Sequence, residues 1–439
     1  MADAPRVAFL TLGCKVNQAE SDAIAGELAG SAGTAAEAEA DVVVISTCTV
    51  TGEADRKARK AVRHALGLPG RPKVVVTGCL AGVDPGSLAA LGERVIVEAD
   101  KSRVAARVRE AAGIAPGDAR SALGGAASGR TRAQIKIEDG CDGVCTYCIV
   151  PRARGVPRAV ALDEIVSAVE SHVRGGTAEV VLTGINIGRY AHGGARLPDV
   201  IAAVAATGVP RIRLSSIEPG DVDADLLETC GTTPAFCPHL HIPLQAGADA
   251  VLARMGRPYD TREYARVVAD AREALPGLAV STDVIAGFPG ETDAEAAYTR
   301  EFVEEQGFSR LHVFRFSRRP GTPAAEMSAQ VPPAAIAARA GALREAGARA
   351  AAVAASAREG SVAEVLVERV RTDVPGETMV AEGVTREYLR VRVPVSAATA
   401  GALLRVRLTR ATADGTCGAV LLNEGEAGER ERVRGHGAC

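Results

Sequence analysis

The segment EDGCDGVCTYCIVPRARG, residues 138–155, decides how the rest of the chain is read. It sets Cys141, Cys145 and Cys148 in a C-x3-C-x2-C spacing directly after the strand-like run AQIKIED (133–139). A loop at the carboxyl end of a barrel strand faces the ligand-binding side of an α/β fold. Three thiolates in one short loop can each hold one iron of a [4Fe–4S] cube, which leaves the fourth iron open to another ligand. Structural zinc is the competing reading, but such sites are usually four-coordinate with Cys or His ligands. No further Cys or His falls between residues 121 and 168.

Downstream, strand and helix alternate as far as residue 355. The strand runs are 133–139, AEVVLTG (178–184), RIRLSS (211–216), HLHIPL (239–244), LAVSTDVIAG (278–287) and SRLHVFRF (309–316). Helical patterns over Leu162–His172, Thr261–Ala274 and Ala294–Glu305 fill gaps between them. Six βα units predict a partial (β/α)6 barrel rather than a complete eight-unit one. An Ala/Arg-rich helix over 334–359 leaves the barrel. Beyond it, 361–370, 377–393 and 401–411 alternate apolar and polar residues, which predicts a small antiparallel β-barrel of OB size. Residues 424–439 are polar and charged, and read as a disordered tail.

Upstream, PRVAFLTLG (5–13), DVVVIST (41–47) and KVVVTG (73–78) read as buried parallel strands, with helices Ala19–Ala29 and Ala54–Leu66 between them. Each strand runs into a cysteine: Cys14, Cys48 and Cys79. Since ligands of open α/β sheets sit beyond the carboxyl ends of the strands, these three can meet in space. A lone cysteine is as readily a small buried hydrophobe, so it is the shared placement that points to a site. Residues 112–131, rich in Ala, Gly and Ser, read as a linker. The expected organisation is therefore 1–111, an open parallel-sheet domain; 112–131, the linker; 132–359, the barrel; 360–423, the small β-barrel; and 424–439, the tail.

Composition bounds the function classes. The 439 residues are 47% hydrophobic and 24% charged, with a formal charge of −3, so a nucleic-acid partner would need local basic patches. No apolar run is long enough to span a bilayer, and no N-terminal stretch has the pattern of a signal peptide. A cytoplasmic chain is expected, and there ten cysteines point to metal, cluster or redox chemistry rather than disulfides. Cys230, Cys237, Cys417 and Cys439 fit neither trio and read as incidental.

The cysteine loop resembles that of radical-SAM enzymes, and its surroundings resemble the methylthiotransferase family. TLGCKVNQAES (11–21), STCTVTGEADRKARK (46–60) and VVTGCL (75–80) resemble that family's N-terminal domain. VLTGINIG (181–188), IRLSSIEP (212–219), HLHIPLQAGAD (239–249), STDVIAGFPGET (281–292) and HVFRFSRRPGTPAA (312–325) resemble its barrel. The final module resembles the RNA-binding TRAM domain. Arg315 and Phe316 depart from the family's usual Pro and Tyr.

The resemblance implies two [4Fe–4S] clusters, one on Cys141, Cys145 and Cys148 and a second on Cys14, Cys48 and Cys79. It implies S-adenosylmethionine on the open iron, with Tyr147 beside the adenine and Thr183, Gly184 and Asn186 near the methionine end. Ser216 and Glu218 would meet cofactor hydroxyls or amine, and Gly287 would lie near the adenine. No catalytic residue beyond the cluster ligands is implied. The run Lys15, Val16, Asn17 after the first cysteine resembles the branch acting on N6-threonylcarbamoyladenosine at position 37 of tRNA. Isopentenyladenosine in tRNA and a ribosomal-protein aspartate are the sister substrates. An electron donor such as flavodoxin or ferredoxin is implied.

For the anticodon loop, Arg56, Lys57, Arg59, Lys60 and Arg63 form a basic helix after Cys48. Arg152, Arg154 and Arg158 follow the cluster loop, and Arg386, Arg390, Arg392, Arg405, Arg407 and Arg410 lie in the last module. Tyr388 could stack on an unpaired base. An iron–sulfur carrier, or an RNA-binding protein with structural clusters, is the non-enzymatic alternative.

Overall fold

The structure is a computed structural model that describes residues 4–114, 131–372 and 379–422. Apart from residues 112–114 and 131, the expected linker lies outside the described residues, and so does the expected tail.

Near-continuous valine runs make the first layer. Strands β1 (Arg6–Thr11), β2 (Gly33–Thr34), β3 (Val42–Thr47), β4 (Lys73–Gly78) and β5 (Val95–Val97) form an all-parallel sheet ordered β2-β1-β3-β4-β5. All six residues of β3 are buried, because helices cover both faces. The first helix runs Lys15–Leu28, beginning directly after Cys14 rather than at Ala19. The second runs Gly52–Leu66 and is capped by the Thr51 hydroxyl accepting from Ala54 N–H. Edge strand β2, strand β5 and the helix Val104–Ala112 carried too little pattern to be read in advance.

The second layer starts with β6 (Arg132–Lys136), β7 (Glu138–Asp139) and β8 (Arg158–Ala159), the last two an antiparallel pair that brackets the cysteine loop. β9 (Glu179–Thr183) pairs parallel with β6. A small hairpin, β10 (Ala191–His192) and β11 (Ala195–Arg196), precedes β12 (Arg211–Leu214), which pairs parallel with β9. β13 (His239–His241), β14 (Ala279–Ala286) and β15 (Arg310–Arg315) form a second parallel sheet. Parallel bridges Ile212 to Phe236 and Ser216 to His241 join the two sheets. The six-stranded partial barrel expected from the sequence is thus present, with helices such as Leu162–Arg174, Thr261–Ala274 and Asp293–Gln306 outside it. The exit helix is Pro333–Ser356, and it packs so closely on β15 that a Cβ on Gly347 would lie 2.7 Å from Leu311 Cβ.

The last layer is a closed barrel of β16 (Val362–Arg371), β17 (Met379–Thr385), β18 (Arg390–Val395), β19 (Leu403–Ala411) and β20 (Cys417–Leu421), ordered β16-β17-β18-β20-β19. The single run read at 377–393 is two strands, because the chain turns at Arg386–Leu389. β20 went unread, and Cys417 fills the barrel core.

Two buried arginines join this barrel to the central one. Arg211 Nε lies 2.8 Å and Arg213 Nε 3.0 Å from the two oxygens of Glu179, and all three side chains are buried. Arg211 Nη2 donates to Thr385 O at 2.9 Å, and Arg213 Nη1 donates to Arg386 O at 3.0 Å. No described helix is long and apolar enough to cross a membrane.

Gly78 closes the sheet around its cysteines. Its φ of 90° belongs to a region that side chains avoid, and a Cβ there would lie 2.4 Å from Thr47 O. Gly78→Ala should lower the unfolding free energy by about 2–4 kcal/mol in urea titrations. Gly86→Ala, where a Cβ meets nothing within 4 Å, should be near neutral.

Candidate active site

The C-x3-C-x2-C loop is held from three sides. Gly140, at φ 87°, lets the chain leave β7 so close to the return strand that a Cβ would lie 2.1 Å from Val156 O. Cys141 N–H donates to Gly155 O at 3.0 Å, and Thr146 N–H donates to Met255 O at 2.9 Å. Positive groups then reach the sulfurs. Gly143 N–H lies 3.2 Å from Cys141 Sγ, and Arg257 Nη1 lies 3.2 Å from Cys145 Sγ. Burial pushes the free Cys148 thiol up to about 12, so loading a metal there displaces a proton.

Arg257 was not legible in advance. It also pairs with Glu218, and its Nε donates to Tyr259 Oη at 3.0 Å. Glu218, expected at the cofactor, therefore lies one guanidinium away from Cys145. Ser216 is exposed at the barrel mouth. Tyr147 packs edge-on to Phe288, with centroids 6.4 Å apart, and lines a cavity of about 160 Å³ with Cys148, Gln245, Asp283, Phe314 and Arg315.

The stretch after β9 is fastened by Glu138, whose buried carboxylate accepts from Ile185 N–H at 2.9 Å and Asn186 N–H at 2.8 Å. Burial raises the pKa of Glu138, and these two donors offset part of that. Gly184 packs against the same residue, 3.0 Å from Glu138 O to its would-be Cβ. Asn186 Oδ1 is buried with no hydrogen-bond partner among the described residues, which suits a ligand ammonium arriving there. Gly287, at φ 79°, is required by its own packing, since a Cβ would meet Ile336 Cγ1 at 2.4 Å.

The second trio assembles as the strand ends suggested. Cys14 Sγ and Cys79 Sγ lie 3.9 and 4.0 Å from the same atom, Asn17 Oδ1. A Cβ on Gly13 would lie 3.3 Å from Cys48 Sγ. Burial pushes the Cys48 thiol up to about 11.

Arg154 joins the N-terminal trio to the barrel. Contrary to the expectation of an RNA contact, its side chain is fully buried and cannot reach a surface phosphate. Its Nε lies 3.3 Å from Cys79 Sγ, and its Nη1 lies 2.9 Å from Glu20 and 2.8 Å from Asp139. Lys101 and Lys136 complete the pairing of Glu20, each at 3.2 Å. The other basic residues divide. Arg56 and Lys57 are exposed, the latter bound to Glu53 at 2.8 Å. Arg59 is half-buried on Asp84 at 2.9 Å. Arg386 donates to Phe236 O at 2.8 Å, and Arg390 donates to Asp414 O at 2.7 Å. Tyr388 is not free to stack on a base, because it packs on His239 and Arg213, 4.8 and 4.6 Å from its centroid.

Comparison with known proteins agrees with this architecture. Residues 135–303 match the model of the radical SAM superfamily, and residues 6–98 match uncharacterized protein family UPF0004. A solved radical S-adenosylmethionine methyltransferase, TsrM from Kitasatospora setae, shares the fold at a TM-score of 0.53 with 15% identity, over 73% of this chain and 77% of that one. The threonylcarbamoyladenosine tRNA methylthiotransferase MtaB of Bacillus subtilis is 36% identical over 92% of this chain and 94% of its own length. The tRNA-2-methylthio-N(6)-dimethylallyladenosine synthase of Acidothermus cellulolyticus is 33% identical over 96% and 90%. The chain belongs to the radical-SAM methylthiotransferase family, and a radical-SAM domain implies S-adenosylmethionine and one [4Fe–4S] cluster.

Arg154→Leu would leave Glu20 and Asp139 as buried carboxylates short of a partner, and should cost about 3–5 kcal/mol in urea unfolding at pH 7. Burial alone would raise the pKa of both carboxyls, but Arg154 and the lysines outweigh it and hold them below their ordinary values. Their contribution is complete above the ordinary carboxylate range and is lost as pH falls below it, through their lowered values in the folded protein. The acid limb of the wild-type stability profile should therefore be steeper than that of the variant.

Proposed function

We propose that the chain converts N6-threonylcarbamoyladenosine at position 37 of tRNA to its 2-methylthio derivative. The observation that carries this reading is that Val50 and Thr51, just past Cys48 of the N-terminal trio, line one cavity with Tyr147 and Cys148 of the barrel loop. One trio suffices for cofactor chemistry, while a sulfur-transferring enzyme has use for a second. The donor sets fit: each is three thiols beside N–H or guanidinium donors, and Asn186 Oδ1 has no partner among the described residues where a cofactor amine would come. Cys141, Cys145 and Cys148 would hold the cluster that binds S-adenosylmethionine, and Cys14, Cys48 and Cys79 a second [4Fe–4S] cluster. When bound, these groups supply the one-electron chemistry at C2 of the base and the sulfur placed there.

The chain's own residues do the rest. Glu138 fixes the backbone at Ile185 and Asn186 that meets the cofactor's methionine end, and Tyr147 lies on the adenine side, walling the cavity it shares with Cys148. Ser216 at the barrel mouth and Glu218, paired with Arg257, would meet cofactor hydroxyls or amine, and Gly287 shapes the turn beside the adenine. Arg154 keeps the N-terminal domain closed over the barrel, which limits water around reactive species. Exposed Arg56, Lys57 and Arg390 are placed for phosphates of the anticodon loop. A reductant such as flavodoxin or ferredoxin and a cytoplasmic setting complete the proposal.

Nucleoside mass spectrometry of total tRNA tests it. A strain lacking the gene should lose the methylthio form of threonylcarbamoyladenosine and regain it on complementation. Loss of methylthio-isopentenyladenosine instead would reject the substrate. Separately, Cys145→Ala should abolish formation of 5′-deoxyadenosine from S-adenosylmethionine in the reconstituted enzyme. Cys48→Ala should keep that cleavage and yield no methylthio product. Wild-type cleavage by Cys145→Ala would overturn the ligand assignment.

A further inference from the structure

The register of the second parallel sheet in the central barrel lays four polar residues side by side. His241 of β13 stands opposite Ser281 of β14, and Asp283 of β14 stands opposite His312 of β15. Ser281 and Asp283 are two residues apart and so point to one face of their strand, which their partners on the neighbouring strands share. Asp283 lines the cavity that Tyr147 and Gln245 also line. The strand is fastened at this point. Gln245, at a φ of 68° that side chains rarely adopt, donates its N–H to Asp283 O at 2.8 Å.

Asp283 Oδ1 lies 3.2 Å from both His241 Nε2 and His312 Nδ1, and the three atoms all lie within 4.8 Å of one another. A separation of 3.2 Å is long for a charge-assisted N–H···O⁻ bond, which spans about 2.7–2.9 Å. It suits two donors on one ion. Bonds of about 2.0–2.2 Å meeting at a tetrahedral or octahedral angle set their outer ends about 3.0–3.5 Å apart. The remaining edge, between the two histidines, closes by rotation of the exposed His312 ring. The groups behind the buried ring also fit. His241 Nδ1 and His239 Nε2 each reach Ser281 Oγ at 2.9 Å. With its proton on Nδ1 and donated to Ser281, His241 turns the Nε2 lone pair on Asp283, as metal-bound imidazoles do. A lone pair and a carboxylate repel each other until a proton or a cation lies between them.

We propose that His241, Asp283 and His312 bind one divalent cation of the zinc or iron(II) class, apart from any cluster on the six cysteines. Two imidazoles and a carboxylate make a three-ligand set of the kind that leaves a further position to water or to a substrate oxygen. Through Asp283 the ion borders the cavity beside Tyr147, where a carboxylate or carbonyl oxygen of a bound substrate would complete its shell. The site does not depend on which base the enzyme modifies.

The test uses the full-length protein with its clusters reconstituted, equilibrated anaerobically with micromolar free zinc and desalted. Zinc is the probe because its absorption edge is read apart from that of cluster iron. Wild type should retain about one zinc per chain with its iron content unchanged, and X-ray absorption should show a first shell of nitrogen and oxygen at about 2.0–2.1 Å. His312→Ala, at an exposed position outside the core, should bind zinc at least roughly tenfold more weakly, and Asp283→Asn should do the same. No zinc retained by wild type, or equal zinc affinity in His312→Ala, overturns the proposal. So does a first shell of sulfur at about 2.3 Å, which with lost iron would place the zinc on the cysteines.

Discussion

A guanidinium without access to water must be matched by carboxylates, and Arg154 finds them on two different layers of the protein. Asp139 belongs to the barrel, while Glu20 and Asn17 belong to the first helix of the N-terminal domain. Separating the domains would strand charge on both sides, so the docking is tied to the pairing. The same arginine lies 3.3 Å from Cys79 Sγ and follows Cys148 by six residues. The electrostatic constraint that seats one domain on the other thereby sets the two cysteine trios in relation to each other. Gly82 assists from the side, since a Cβ there would press on Ala153 O at 2.9 Å.

The opposite end of the barrel uses the same device. Glu179 is buried between Arg211 and Arg213, and these pass their remaining donors to carbonyls in the turn of the last β-barrel. That turn carries Tyr388 at a φ of 68°, a conformation a tyrosine adopts only when its surroundings hold it there. The surrounding cations and His239 provide that hold. Two buried ion clusters, one at each end, thus tie the N-terminal sheet and the last β-barrel to the central barrel.

Much of this could be read from local patterns. The valine runs of the first sheet and the six βα repeats follow from periodicity, since buried parallel strands must be apolar throughout. Cys141, Cys145 and Cys148 are legible from spacing alone, because one short loop carries all three. Cys14, Cys48 and Cys79 are legible from their shared position at strand ends, because parallel strands in one sheet end on one side. Short strands such as the edge strand β2 and the barrel strand β20 are not legible, having too few residues to establish a period.

Sequence by itself determined the layers and their order and singled out six thiols as candidates, because each depends on residues adjacent in the chain or on a repeat. Tertiary structure alone decided what the charged residues do. Arg154 lies among arginines that look solvent-facing, and only its placement between Glu20 and Asp139 makes it a buried strut. Arg257 carries no motif, yet packing sets it on Cys145 and Glu218. A charge acts through space, and the partners that decide its role come from distant parts of the chain.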